Sequence, residues 1–66
     1  MTERQRARIA AEYDRLFELW ENALDRGKRD IVPQYERAVR EMDVILSILG
    51  YDRECGADEK QILVRR

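Results

Sequence analysis

Ten apolar residues fall into two sets that step along the chain by threes and fours. Ile9, Tyr13, Leu16, Trp20 and Ala23 precede Gly27, and Tyr35, Ala38, Met42, Ile45 and Leu49 follow it. That spacing puts each set on one face of an α-helix, so the chain reads as two amphipathic helices joined by a turn. In an antiparallel pair, facing positions have residue numbers with a constant sum. The two sets meet this condition without a slip: Ile9 faces Leu49, Tyr13 faces Ile45, Leu16 faces Met42, Trp20 faces Ala38, and Ala23 faces Tyr35. Near the turn the largest side chains meet the smallest, the layering that fills a core without overpacking. Carried outward, the same arithmetic sets Arg6 opposite Asp52 as an ion pair at the open end.

The ends of both helices are marked. Thr2 is placed to cap the first, which spans about residues 2–26, and Gly27 supplies the left-handed residue that closes it. Residues 27–30 form the turn. Asp30 serves as the cap of the second helix, about residues 31–49, with Pro33 in its first turn where a missing N–H costs nothing. Gly50 stops it. From residue 51 to 66 the sequence is polar and aperiodic up to Ile62-Leu63-Val64. This predicts a flexible C-terminal tail, with the apolar triplet either part of a mobile terminus or a short edge strand that pairs with a partner chain. The fold class expected is all-α, an αα-hairpin with a mobile tail.

Sixty-six residues are few for a chain that folds alone, and one helical seam contributes only a few kcal/mol. Dimerisation into a four-helix bundle is the expected remedy. Thirteen Lys plus Arg against fourteen Asp plus Glu leave a net charge of −1, so no global field draws nucleic acid or an anionic membrane. The opening Met1-Thr2-Glu3-Arg4-Gln5-Arg6 lacks the apolar stretch of a signal peptide, and no apolar run approaches the length of a bilayer crossing, which points to the cytoplasm.

Catalytic and metal chemistry find little to work with. There is no histidine, the single Cys55 has neither a base nor a disulfide partner, and Glu36 and Glu41 lack the histidine three residues on that di-iron bundles use. Glu18, Glu21 and Asp25 lie on one solvated flank of a single helix, where carboxylates do not converge on a cation. The chain is expected to be non-enzymatic and to need no metal or cofactor.

Apolar residues outside the seam carry the functional expectation. Phe17 and Leu19 broaden the stripe of the first helix, and Val44 and Ile48 project from the second, at the level of Ala7, Ala10, Ala11 and Asp14. These four are the expected contact residues for a second copy of the chain or another helical protein, with no role at a membrane. The alternative is a dimeric regulator that binds RNA or DNA through Arg4, Arg8, Arg15 and Arg26, which fall along one line of the first helix. A dimer of helical hairpins resembles the RNA-binding regulators of plasmid copy number in architecture, and no motif carries over residue by residue.

Overall fold

The computed structural model describes residues 1–66 as two α-helices followed by a two-stranded antiparallel sheet: α1 (Glu3–Asp25), α2 (Val32–Ile48), β1 (Tyr51–Cys55) and β2 (Gln61–Arg65). The all-α expectation is therefore corrected. Residues 51–66 are not a flexible tail but a β-hairpin packed on the helices, and Ile62-Leu63-Val64 pairs with Asp52-Arg53-Glu54 of the same chain. The four-helix bundle falls with it, because the second layer against these helices is the chain's own sheet; the architectural likeness to the plasmid regulators ends there too.

Local chemistry accounts for the element ends. Thr2 caps α1 through a complete capping box: Gln5 N–H donates to Thr2 Oγ1 at 3.1 Å and Thr2 N–H donates to Gln5 Oε1 at 2.9 Å. At the other end Gly27 takes a left-handed φ of 69°, and the N–H groups of Lys28 and Gly27 donate back to the carbonyls of Ala23 and Leu24. Ile31, not Asp30, occupies the N-cap of α2 and makes no side-chain cap bond, while Pro33 lies in the first turn. Gly50, at φ 85°, turns the chain from α2 directly into β1. The strands are joined by Gly56–Lys60, closed by Gly56 N–H to the Lys60 carbonyl at 2.8 Å and Glu59 N–H to the Gly56 carbonyl at 3.0 Å. Glu59 has the left-handed φ of 65° that a three-residue hairpin loop requires after its type I turn.

The β-hairpin alters the roll of the helices. Tyr13, Ala10, Leu46, Tyr51 and Leu63 form the buried cluster, with Ile9, Phe17, Val39 and Met42 packed around it. On α1 the expected stripe is in place, since Tyr13, Leu16 and Ala23 are buried. On α2 the buried residues are Val32 and Leu46, whereas Ile45 and Leu49, expected opposite Tyr13 and Ile9, are more than half exposed. The face used is Val32, Tyr35, Val39, Met42 and Leu46, the expected set displaced by three residues, a roll of about 60°. The cause is the sheet. Tyr51 and Leu63 offer apolar area on one side of the helix pair, and α2 turns Leu46 toward it. Arg6 pairs with Glu3 at 3.9 Å and Asp52 with Arg66 at 2.7 Å, so the expected Arg6–Asp52 bridge is replaced by two local ones.

Candidate functional site

A polar network fixes how the sheet sits, and through it which residues reach the surface. The Tyr13 side chain is fully buried and its hydroxyl donates to Asp43 Oδ1 at 2.7 Å. Arg53 meets the same carboxylate with two bonds, Nε to Oδ1 at 3.0 Å and Nη2 to Oδ2 at 3.1 Å, and its Nη1 donates to Gln61 Oε1 at 3.1 Å. Its guanidinium lies over the rings of Tyr13 and Phe17, 5.0 and 5.1 Å from their centroids. Gln61 N–H, pointing away from β1, donates to Asp14 Oδ1 at 2.9 Å. All four elements are thus tied at one place, and Asp14 covers a donor that the open edge of β2 would otherwise expose.

The electrostatics follow from this geometry. Burial pushes the Tyr13 phenol well above its ordinary value, and the neighbouring Asp43 carboxylate adds to the shift. Burial also pushes the Asp43 carboxyl up, but hydrogen bonds from Arg53 and Tyr13 outweigh it and hold the group below the usual carboxylate range. Arg53 is raised by its bond to Asp43. Tyr13 is a locked donor and Asp43 a locked anion. The network is a clamp.

With the sheet clamped on one side of the helix pair, the opposite side of α2 is left bare. Asp43 points toward the sheet, and Ile45 and Ile48 lie on the far side of the helix from it. Val44 is 56% exposed, Ile45 58%, Ile48 79% and Leu49 56%, four aliphatic side chains in two consecutive turns. Leu49 continues the patch into an open groove of about 520 Å³ that it lines with Met1, Gln5, Arg8, Ile9 and Tyr51. Arg8 has the single charged side chain of that groove.

Of the contact residues expected from sequence, Val44 and Ile48 lie within this patch. Leu19 is half-buried on α1, and Phe17 is occupied inside the chain, packed on the core cluster beneath Arg53. Ile45, Leu49 and Met1 were not expected here; two of them had been assigned to the seam. Arg4, Arg8, Arg15 and Arg26 are all exposed, but Arg15 is tied to Glu12, donating from Nε to both carboxylate oxygens at 3.1 and 3.2 Å. That bond raises the Arg15 pKa and lowers that of Glu12, so one member of the arginine line is already neutralised. Cys55 is exposed at the end of β1, and nowhere do three acidic or cysteine side chains gather as a metal site would require. No helix is long and apolar enough to cross a membrane. No family model, curated protein or solved structure matches the chain.

Proposed function

We propose that this chain is a non-enzymatic interaction protein of the cytoplasm, and that it works by docking the bare face of α2 on another protein surface. The observation that carries this is the exposure of Val44, Ile45, Ile48 and Leu49 together, on the side of the helix that the sheet does not cover. Isolated exposed aliphatics are ordinary on soluble proteins, whereas four in adjacent turns, continuous with an apolar groove, make the contiguous patch that marks a contact surface. An amphipathic helix face fits it best, because the residues recur at the i, i+3 and i+4 spacing that helix-on-helix recognition uses.

A photo-crosslinking residue placed at position 48 in the full chain, expressed in its native cell, tests this. A protein adduct at position 48, absent when the probe is moved to the exposed turn residue Arg29, is the expected result. Absence of any adduct at position 48 would overturn the proposal.

A further inference from the structure

The chain exposes 5333 Å² of surface at a mass of 7.9 kDa. A compact monomer of that mass exposes about 4400 Å² by the usual scaling, so the excess is about 900 Å². A standard protein interface removes about 800 Å² from each partner. The excess is one interface's worth, in a flattened molecule of 37 × 25 × 16 Å with only eight buried residues and two buried donors, Trp20 Nε1 and Arg6 Nε, that find no acceptor.

From this area, together with the charges that border the patch, we infer that the occupant of the bare α2 face is a second copy of this chain, held by an antiparallel α2–α2′ contact across a two-fold axis midway between Ile45 and Ile48. This rests on the proposed contact role of the face. Such an axis lays the patch on itself, Ile45 against the partner's Ile48, with Val44 and Leu49 flanking that contact on either side of the seam, as a self-complementary interface demands. It also positions charge. Glu41 precedes Val44 by three residues, so the partner's Glu41 lands about 4.5 Å beyond Leu49 along the axis. That is the mouth of the groove where Arg8 waits. Arg8 has no ion-pair partner within the chain, and Glu41 has only a loose one, Arg37 at 3.4 Å with both side chains mostly exposed. The other acids near that end are engaged within the chain, Asp52 by Arg66, Glu12 by Arg15 and Glu3 by Arg6. The two-fold axis makes two Arg8–Glu41 pairs.

The symmetry provides a test that no other occupant passes. Arg8→Glu gives a chain with glutamate at both positions, and Glu41→Arg gives one with arginine at both, so each repels itself and the two attract each other. Sedimentation equilibrium on the full-length wild type is expected to show a dimer. Each charge variant alone should raise the dissociation constant about tenfold or more, and their equimolar mixture should recover wild-type association. Ile48→Glu should raise it about a hundredfold, with unchanged helical circular dichroism showing that the fold is intact. A wild type that stays monomeric at high micromolar concentration overturns the second-copy occupant, and if position 48 still crosslinks to another protein, the contact role of the face survives alone. A dimer that Ile48→Glu dissociates but the mixed charge variants fail to restore overturns the antiparallel register.

Discussion

Arg53 and Asp43 make a two-point ion pair, Nε to Oδ1 at 3.0 Å and Nη2 to Oδ2 at 3.1 Å, and it is the polar link between the β-hairpin and α2. The pair has apolar surroundings on the Arg53 side, where the guanidinium stacks on Tyr13 and Phe17, and partial solvent access on the Asp43 side. Replacing Arg53 by Ala removes both bonds, the stacking and the bond to Gln61. The loss is expected to be about 1–2 kcal/mol once solvent screening of the half-exposed carboxylate is allowed for. In a domain this small that lowers Tm by roughly 4–15 °C. Arg53→Lys should not restore it, because an ammonium offers neither the fork nor the flat stacking face. Thermal melts of the three proteins decide the matter.

The same clamp sets the limits of stability in pH, and its two ionisable ends act in opposite directions. Asp43 titrates lower in the folded chain than in the unfolded one, so its contribution is present above the ordinary aspartate value of about 3.9 and disappears as pH falls through the folded value. Tyr13 titrates higher when folded, so its contribution is complete below the ordinary tyrosine value of about 10 and is lost as pH rises beyond it. Urea unfolding across a pH series should therefore show a plateau that declines at both ends. Tyr13→Phe should flatten the alkaline decline and lessen the acid one only in part, because Arg53 still holds Asp43 low, whereas Asp43→Asn should remove the acid decline and lessen the alkaline one only in part, because burial still raises Tyr13. A Tyr13→Phe protein with the wild-type alkaline profile would place the cause elsewhere.

Arg53 also explains why the strands were hidden in the sequence. A strand packed on one side shows apolar residues at every second position, and β1 reads Tyr51, Asp52, Arg53, Glu54, Cys55. Its inward residues are Tyr51 and Arg53, so the alternation exists, but its second apolar position is filled by an arginine whose charge Asp43 cancels from another element. Nothing local reveals that. The two helices were legible because their pattern needs no distant partner. The roll of α2 was not, since Val32, Tyr35, Val39, Met42 and Leu46 step by threes and fours as faithfully as the set three residues later. Both sets also give a constant sum against Ile9, Tyr13, Leu16, Trp20 and Ala23. Only the sheet distinguishes them, and with it which aliphatic residues face water. Val44 and Ile48 belong to neither set, which is why the sequence pointed to those two and missed Ile45 and Leu49.

The loop between the strands contains a correctable strain. Glu59 adopts φ 65°, where a side chain costs about 1 kcal/mol and glycine costs almost nothing sterically. Glu59→Gly is expected to stabilise the chain by about 0.5 kcal/mol after the extra entropy of glycine in the unfolded state is counted. Glu59→Val should destabilise it, because β-branching makes the left-handed region less accessible. Equilibrium denaturation of the two variants tests the sign of each change, and a neutral Glu59→Val would show that the hairpin loop is not held in this geometry.

The roll of α2 is tested most directly by two adjacent residues. Leu46 is buried in the cluster with Tyr13, Tyr51 and Leu63, while Ile45, about 100° round the helix, is 58% exposed. Truncating a buried leucine removes its transfer energy and leaves a cavity, so Leu46→Ala should cost about 2–4 kcal/mol, a large share of what a domain of this size possesses. Ile45→Ala deletes atoms that mostly touch water in the monomer and should cost under about 0.5 kcal/mol when unfolding is measured at concentrations where the chain is monomeric. The helical hairpin without the sheet reverses the order, since there Ile45 fills the seam against Tyr13 and Leu46 lies outside it. The ratio of the two losses therefore reports which face of α2 is packed. A larger loss for Ile45→Ala than for Leu46→Ala would mean that residues 51–66 do not hold the helices as described, and that the bare face from Val44 to Leu49 is inside the molecule.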